Sequence, residues 1–276
     1  MNGDPPLLRL DQVSKSFRRS GGTQVTAVRG ASLTVGHAET LALVGESGSG
    51  KSTLGRIALC MIPPDSGRVF LDGACLSGMK PRQLRDARVT MQPIFQDAGA
   101  SFNPRRTVRG LMAQALVRSD RHDIDARAIR LLEDVGLRPG VRLLDRHPHE
   151  LSGGQRQRLA IARALALNPK LIIADEPLSG ADVSIRGQVL NLLADLQAER
   201  KIAYLMITHD ISIARAFAHR VAVMQHGIIV ETGTVDVLEH PSHPYTCSLI
   251  DAAPRLPNAF LVEDTPNPPS PVNDRP

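Results

Sequence analysis

A segment of nine residues, 45–53, restricts the fold of this chain more than any other. It reads Gly-Glu-Ser-Gly-Ser-Gly-Lys-Ser-Thr and fits the pattern G-x-x-x-x-G-K-[ST]. An apolar run, residues 40–44, precedes it, and a helix-compatible run begins at Thr53. Glycines let the backbone curl so that successive N–H groups point at one anion, and the N-terminus of the following helix adds positive charge. In this context the pattern predicts a phosphate-binding loop between a buried strand and a helix.

Two side chains of this loop have a predicted role toward a nucleotide. Lys51 can reach the β- and γ-phosphates. The hydroxyl of Ser52 suits Mg²⁺, because this hard ion prefers oxygen ligands.

Strand-like runs alternate with helical patterns along the rest of the chain. The predicted strands are residues 7–13, 31–35, 40–44, 68–71, 171–175, 202–208, 220–225 and 228–231. Apolar residues recur at helical spacing in one segment with Val108, Leu111, Met112, Ala115 and Leu116, and in another with Ile185, Val189, Leu192, Leu193 and Leu196. The central runs are apolar throughout, which suits a sheet covered on both faces. The alternation predicts an α/β fold with a largely parallel central sheet.

Two segments depart from this alternation. Residues 97–150 show helical periodicity and turn signals at Asn103-Pro104 and Pro139-Gly140, but no convincing strand. We therefore expect a helical insert within the α/β domain. Residues 251–276 are rich in proline, which cannot donate to regular ladders, so we expect an extended or disordered tail.

A second site of predicted chemistry follows the apolar run at residues 171–174. Asp175 and Glu176 come directly after it, and the carboxyl ends of strands are where open α/β sheets bind ligands. Asp175 can hold Mg²⁺ through its water shell, and Glu176 is placed to polarise an attacking water. The pair alone is a weak signal, but with the phosphate-binding loop it becomes a strong one.

A third site, residues 151–155, has the same kind of Gly/Ser turn before a helix as the first. It reads Leu-Ser-Gly-Gly-Gln and opens a well-formed helical pattern, so that backbone N–H groups and the Ser152 hydroxyl can bind an anion. Two phosphate-binding helix starts in one chain leave two arrangements open. Each could bind its own nucleotide, or two chains could share one.

Charge and cysteine content exclude several functional classes. The formal net charge is +5, but the basic residues are scattered and often lie beside acids, so we expect no nucleic-acid partner. Three cysteines without C-x-x-C spacing imply neither a disulfide framework nor a zinc site. No apolar run has the length of a signal peptide or a membrane span. We therefore expect a cytosolic protein that reaches a membrane only through a partner.

Six motifs in a fixed order give the chain a family resemblance. They are residues 45–52, Gln96 in Ile-Phe-Gln-Asp, residues 151–155, residues 171–176, Asp182, and His209 in Thr-His-Asp. In this order they resemble the ATP-binding cassette ATPases. The resemblance covers roughly residues 7–250, and it implies an ATP-binding domain at residues 5–250 with a helical insert at about 97–150. It implies a P-loop nucleotide-binding domain with a mostly parallel central sheet, an antiparallel β subdomain and a helical subdomain. In this family two cassettes pair head to tail and share each ATP.

The resemblance implies a role for each matching position. The loop residues that would bind the phosphates of ATP are Gly45, Glu46, Ser47, Gly48, Ser49, Gly50, Lys51, Ser52 and Thr53. Ser52, Gln96 and Asp175 would surround Mg²⁺, Glu176 would be the catalytic base, and His209 would sense the γ-phosphate and orient the water, with Gln96 also counted as catalytic. Ser152, Gly153, Gly154 and Gln155 would reach the ATP of the partner cassette, and Asp182 would cross the dimer seam.

One matching position has an alternative interpretation, and one segment departs from the family pattern. Phe17 resembles the aromatic residue that stacks on adenine, but a surface phenylalanine at a strand end is the alternative. Residues 178–182 read Leu-Ser-Gly-Ala-Asp where the family usually shows Ser-Ala-Leu-Asp. The glycine adds backbone freedom, which puts in doubt how tightly dimer closure couples to hydrolysis.

Two local features narrow the branch of the family. Residues 95–108 and residues 240–246, His-Pro-Ser-His-Pro-Tyr-Thr, resemble bacterial importers for dipeptides, oligopeptides and nickel. His240 and His243 could be metal ligands, but the prolines favour a docking turn. The proline-rich tail replaces the cysteine-rich element of longer peptide importers, which shifts the expectation modestly toward nickel. Peptide, nickel and metal-chelate cargo all stay open.

This branch implies a set of partners and a location. We expect two membrane-spanning permease subunits, a second ATPase that is a paralogue, and an indirect contact with an extracytoplasmic binding protein. The chain would then lie at the cytoplasmic face of the bacterial inner membrane. The alternatives are a soluble cassette in nucleic-acid repair or translation and a scaffold in an enzyme complex. The intact Glu176 and His209 argue against the scaffold.

Overall fold

The apolar run at residues 40–44 forms a strand in the middle of a six-stranded sheet. The computed structural model describes residues 5–18, 22–96, 102–117, 123–179 and 183–253. The strands are β1 Leu8–Arg18, β2 Gln24–Val35, β3 Thr40–Val44, β4 Ser66–Leu71, β5 Ala74–Cys75, β6 Met91–Ile94, β7 Leu171–Asp175, β8 Ala203–Thr208, β9 Arg220–Gln225 and β10 Ile228–Thr234. The α helices are α1 Lys51–Ala58, α2 Pro81–Ala87, α3 Val108–Leu116, α4 Ile124–Asp134, α5 Gly153–Leu165, α6 Val183–Arg200, α7 Ile211–Phe217 and α8 Pro244–Asp251. Short 3-10 helices occupy Gly140–Leu143, Pro148–Glu150 and Val235–Leu238.

The six-stranded sheet is parallel except at one edge. Its order is β10-β9-β3-β8-β7-β6, and only β10 runs antiparallel to its neighbour. Every residue of β3 and β8 is buried, which explains why both strands are apolar without alternation. Because parallel strands end at the same edge, the segments that follow β3, β6, β7 and β8 all meet there.

A second, four-stranded sheet is antiparallel, in the order β2-β1-β4-β5. Leu8, Leu10 and Val13 of β1 are buried in a hydrophobic cluster that also contains Leu54 of α1 and Leu205 of β8. This cluster joins the small sheet, α1 and one face of the central sheet. It therefore fixes the direction in which α1 leaves β3.

The described residues between β6 and α5 contain helices and no strand. Met112 of α3 and Leu132 of α4 share a hydrophobic cluster with Ile161 of α5 and Ile172 of β7. The helical region is thus packed on α5 and, through it, on the opposite face of the central sheet. The exact limits of the insert, residues 97–150, and of the proline-rich tail stay predictions, because residues 97–101, 118–122 and 254–276 lie outside the described ranges.

The structure confirms the α/β class, the mostly parallel central sheet and the antiparallel sheet beside it. All eight predicted strands are present, although β1 and β2 are longer than predicted. Two strands were not predicted. β5 has only two residues, and β6 contains Pro93, which an edge strand tolerates because one side of its backbone has no partner in the sheet. No helix in the described ranges is long and apolar enough to cross a bilayer.

Candidate active site

The phosphate-binding loop connects β3 to α1, and two of its glycines are required by its shape. Gly45 has φ +149° and Gly50 has φ +106°, both in the region that side chains rarely adopt. A Cβ atom at Gly45 would overlap the carbonyl oxygen of Met224, and one at Gly50 would overlap that of Ala27. The loop can therefore fold tightly against the sheet only with glycine at these positions.

Lys51 fills the centre of this loop. Its side chain is buried, and Nζ donates to the carbonyl oxygens of Gly45 and Glu46, each at 2.7 Å. Burial lowers the pKa of the Lys51 ammonium, although the nearby carboxylates of Glu176, Asp175 and Glu46 oppose this shift. The loop carbonyls thus hold the lysine in place inside the curve of the backbone, at the start of α1.

The outer side of the loop is open to solvent. Glu46, Ser47 and Gly48 are exposed, whereas Ser49 is buried and its carbonyl oxygen accepts from the N–H of Gly227 at 2.8 Å. Helix α1 has no acidic residue of its own in its first turn. Thr53 lies in that first turn and is half-buried. An anion can approach the exposed backbone from this side.

The carboxylate at the end of β7 contacts the first turn of α1. Ser52 Oγ donates to Asp175 Oδ1 at 2.9 Å. Burial raises the pKa of Asp175, while the hydrogen bond from Ser52 opposes the rise. In the described part of the chain no basic side chain lies within ion-pair distance of Asp175. A half-buried carboxylate that lies beside a hydroxyl and makes no direct ion pair within the described ranges is a donor that suits a divalent cation.

Gln96 and Glu176 lie at adjacent strand ends because of the sheet register. Ile94 of β6 pairs with Ala174 of β7, and each of the two functional residues follows two positions later. Gln96 Nε2 donates to Ser179 Oγ at 3.3 Å, in the turn after Glu176. The structure therefore brings the amide of Gln96 to the same edge as the carboxylates.

Glu176 and His209 form the closest contact between two titratable groups of this edge. His209 Nδ1 lies 2.8 Å from Glu176 Oε1, which is hydrogen-bond distance for the histidine tautomer that carries its proton on Nδ1. The side chain of Glu176 is 14% exposed and that of His209 is 62% exposed. Glu176 also has φ +50°, and its N–H donates to the carbonyl oxygen of Ile207 at 2.9 Å. A non-glycine residue held in this conformation is a feature that clusters at active sites.

The residues of the third predicted site lie apart from this group. Ser152 caps α5: its Oγ accepts from Gln155 N at 3.2 Å, and Gln155 Oε1 accepts from Ser152 N at 3.0 Å. Ser152 and Gly153 are exposed, and Gly154 faces Ile185. Within the described ranges these residues make no hydrogen bond to the phosphate-binding loop. The turn that is predicted to bind a second anion is thus capped and exposed, and in the described ranges it shares no hydrogen bond with the first.

The structure describes Phe17, but it does not describe the whole of the unusual turn at residues 178–182. Phe17 lies near the end of β1 with 43% of its surface exposed, and Lys15 Nζ lies 5.9 Å from its ring centroid. An exposed ring of this kind can stack on a flat ligand, so its role stays a prediction. Asp182 lies outside the described residues, and so does Gly180 of the unusual turn.

Two contacts near the site were not predicted from the sequence. Arg186 Nη1 lies 3.1 Å from Asp210 Oδ2, and Asp210 caps α7 by accepting from Ser212 N at 2.9 Å. The Thr-His-Asp motif contained the signal for this cap, since Asp is a favoured first residue before a helix. Tyr245 was noticed only as part of a turn, although its hydroxyl lies 3.0 Å from the backbone nitrogen of Glu46.

The glycine loop on α1, the carboxylates after β7 and the histidine after β8 define a P-loop nucleotide-hydrolysing domain. The family described as ABC transporter matches residues 28–179, more than half of the chain. The chain belongs to this ABC transporter family.

The chain is similar over most of its length to ATP-binding subunits of importers. It is 46% identical over 253 residues to the oligopeptide transport ATP-binding protein OppF of Streptococcus mutans, covering 90% of this chain and 82% of that protein. It is 44% identical over 283 residues to a probable peptide ABC transporter ATP-binding protein of Sinorhizobium fredii, covering 97% and 79%. It is 46% identical over 265 residues to the glutathione import ATP-binding protein GsiA of Escherichia coli, covering 92% of this chain but 42% of that protein.

Solved structures agree with this assignment. The dimeric, post-hydrolysis ATP-binding cassette MJ0796 bound to ADP and Pi superposes with a TM-score of 0.75 at 29% identity, covering 83% of this chain and 98% of that one. The cbiO1 cassette of Clostridium perfringens gives 0.74 at 28% identity, covering 86% and 92%. These similarities confirm the expected fold and the expected activity. The chain is an ATP-hydrolysing subunit of the ABC transporter family.

Proposed function

We propose that this chain powers the import of peptides through a bacterial ABC transporter. The observation that carries the energetic part of the proposal is the 2.8 Å contact between His209 and Glu176 beside the phosphate-binding loop. The support for peptides as cargo is the identity of 44–46% with proteins named for oligopeptide, peptide and glutathione transport. The comparisons give no support to nickel, toward which the proline-rich tail had shifted the expectation.

The residues at the strand ends suit an in-line attack of water on the γ-phosphate of ATP. The carboxylate of Glu176 accepts a proton from the water as the new P–O bond forms and the bond to the leaving ADP oxygen breaks. His209 is held by Glu176 at 2.8 Å and is largely exposed, and its Nε2 makes no hydrogen bond within the described ranges, so this nitrogen would meet the γ-phosphate. Lys51 and the N–H groups of the loop, other than that of Glu46, which donates to Tyr245, would stabilise the charge on the phosphates.

Mg²⁺ fits the residues beside the phosphate-binding loop. The ion would be held by the Ser52 hydroxyl, the Asp175 carboxylate and the Gln96 amide, all oxygen donors. When bound, it neutralises charge on the phosphate oxygens. Asp175 is half-buried, and the only hydrogen bond that its carboxylate makes in the described ranges comes from Ser52, which supports this assignment.

The exposed Ser152 turn supports a second cassette as a partner. Its N–H groups and hydroxyl lie away from the chain's own loop, so a nucleotide bound at that loop would meet this turn only from another chain. We propose that a paralogous ATPase supplies the second half of each site and that Asp182 crosses the seam. Two permease subunits would dock on the pair at the cytoplasmic face of the inner membrane, and an extracytoplasmic binding protein would deliver the peptide to them.

Co-purification tests the transport proposal directly. The tagged chain is expressed with its neighbouring genes and recovered from detergent-solubilised membranes. We expect two multi-span subunits and a second cassette, and an ATPase rate that rises when the binding protein is added with di- or oligopeptides. A rise with Ni²⁺ instead of peptides would make nickel the cargo. Recovery alone or with soluble partners only would favour a soluble cassette and contradict the proposal.

A further inference from the structure

The turn at residues 240–246, which the hydrolysis mechanism does not use, is fixed by a single carboxylate. Glu231 Oε1 on β10 accepts from Ser242 N at 2.8 Å and from Ser242 Oγ at 2.6 Å, and Oε2 accepts from His243 N at 3.2 Å. Burial opposes ionisation here, but these hydrogen bonds lower the pKa of Glu231 to about 2. Glu231 is therefore ionised at neutral pH and holds the start of α8 against β10.

A helix cap and a proline also fix the start of α8. His243 caps the helix by accepting from Tyr245 N at 3.2 Å through Nδ1, and Pro244 occupies the first helical position. The ring of Tyr245 packs against the hydrophobic cluster that contains Val44 and Val223. Val44 is the last residue of β3, so this cluster adjoins the beginning of the phosphate-binding loop.

The hydroxyl of Tyr245 reaches that loop. The N–H of Glu46 donates to Tyr245 Oη at 3.0 Å. The carbonyl oxygen of the same peptide group, that of Gly45, accepts from Lys51 Nζ at 2.7 Å. The Gly45–Glu46 peptide is thus held at both ends, by Tyr245 at the nitrogen and by Lys51 at the oxygen.

We expect only one of these two contacts, that of Lys51, to weaken when a nucleotide binds. A phosphate attracts the Lys51 ammonium more strongly than a carbonyl oxygen does, because both partners are charged. We expect Lys51 to loosen its hold on the Gly45 carbonyl, whereas the contact to Tyr245 lies at the other end of the peptide and does not involve Lys51. Burial raises the pKa of the Tyr245 phenol, so the hydroxyl is neutral and its oxygen accepts at any physiological pH.

We propose that Tyr245 is a positioning residue of the nucleotide site, which keeps the Gly45–Glu46 peptide in its orientation while Lys51 binds phosphate. The proposal rests on the phosphate-binding role of residues 45–53. It makes α8, which Glu231 holds against β10, a support of the phosphate-binding loop.

Substitution of the tyrosine hydroxyl tests the proposal. Tyr245→Phe keeps the ring in the cluster but removes the acceptor for Glu46 N–H. We expect the Kd for ATP, measured by calorimetry on the full chain in EDTA so that hydrolysis does not interfere, to rise about 2- to 10-fold, which is the worth of one net hydrogen bond. The KM for ATP should rise by a similar factor, with kcat within about 2-fold, because the chemistry at Glu176 is untouched.

Two further variants separate positioning from general stability. Ser248→Ala removes a hydroxyl from the same helix that donates to the Pro244 carbonyl oxygen at 3.1 Å, and it should leave the Kd unchanged. Glu231→Gln should raise the Kd, but less in a Tyr245→Phe background than alone, because Glu231 acts through Tyr245. An unchanged Kd in Tyr245→Phe, an equal rise in Ser248→Ala, or full additivity of the double variant would each overturn the proposal.

Lys51→Ala shows which assumption has failed if the result is negative. If Lys51→Ala weakens ATP binding and Tyr245→Phe does not, the loop binds phosphate and only the role of Tyr245 is wrong. If neither variant changes the Kd, the phosphate-binding role of the loop itself is wrong, and the inference about Tyr245 falls with it.

Discussion

His209 Nδ1 lies 2.8 Å from Glu176 Oε1, and the two residues come from different strands. Glu176 follows β7 and His209 follows β8, whose neighbouring register pairs Asp175 with Ile207. The contact is therefore fixed by the sheet, and the histidine is held by the carboxylate that we assign as catalytic base. The side chain of His209 is 62% exposed, and we propose that its second nitrogen meets the γ-phosphate.

His209→Ala should lower kcat for ATP hydrolysis by about 100-fold or more, because it removes the group that orients the water and meets the γ-phosphate. The KM for ATP should change by less than about 3-fold, since ground-state binding depends on the loop. Steady-state phosphate release measures both. His37→Ala, at an exposed position in the turn before β3, is the matched control. An equal loss of kcat in His209→Ala and His37→Ala would show that His209 has no specific role in hydrolysis.

Lys51→Ala should weaken ATP binding by about 10- to 150-fold, which corresponds to one hydrogen bond between charged groups. The reason is that Nζ already lies inside the loop, 2.7 Å from the Gly45 and Glu46 carbonyl oxygens, and needs little rearrangement to reach a phosphate. Calorimetry measures the Kd, with Lys80→Ala on exposed surface as the control. Wild-type affinity in Lys51→Ala would contradict the loop assignment.

Ser152→Asp tests whether the third predicted site serves the nucleotide of another chain. Aspartate preserves the cap of α5 but brings a negative charge toward a phosphate. We expect the isolated variant to bind ATP like the wild type and to hydrolyse it at least about 10-fold more slowly. This factor corresponds to the loss of one hydrogen bond to a charged phosphate, which the aspartate repels.

A mixing experiment gives the control for Ser152→Asp. If two copies of this chain pair, adding the Lys51→Ala chain to the Ser152→Asp chain restores part of the activity, because one site of the mixed pair is then intact. If the partner is a paralogue, restoration requires that protein instead. The contrary result would be that isolated Ser152→Asp loses as much ATP affinity as Lys51→Ala. The Ser152 turn would then contact the nucleotide bound by the phosphate-binding loop of the same chain.

The acid sensitivity of the fold should depend on Glu231. Its pKa falls from the ordinary 4.5 to about 2 in the folded chain, so its hydrogen bonds contribute stability above the unfolded value, and this contribution is lost as the pH falls toward 2. We therefore expect the thermal midpoint of the wild type to fall more steeply between pH 4.5 and pH 2.5 than that of Glu231→Gln. Differential scanning fluorimetry across this range measures it. Parallel curves would show that Glu231 makes no such contribution.

Local sequence was enough to predict the parts of the site that one segment forms alone. The glycine loop before α1 and the Ser152 cap of α5 depend on residues within a few positions of one another. Their backbone requirements, positive φ for Gly50 and a side-chain acceptor at Ser152, are specific to few residue types. The apolar strands β3 and β8 were predicted for the same reason, since burial on both faces leaves an unbroken apolar run.

Contacts between distant segments were not predictable in the same way. β6 carries Pro93 and becomes a strand only by pairing with β7, almost 80 residues later. The hydrogen bond from Glu46 to Tyr245 joins residues 199 positions apart, and no periodicity in either segment indicates it. The grouping of Gln96, Asp175, Glu176 and His209 was expected from the family resemblance, and the sheet register supplies its physical cause.

The most direct test of the account is ATP binding and turnover in Glu176→Gln, which keeps the shape of the side chain but removes the base. We predict wild-type affinity for ATP, turnover lower by about 100-fold or more, and a dimer that persists with ATP on size exclusion. Glu199→Gln, an exposed residue of α6, should match the wild type in all three. Wild-type turnover in Glu176→Gln would contradict the central claim that this carboxylate activates the water.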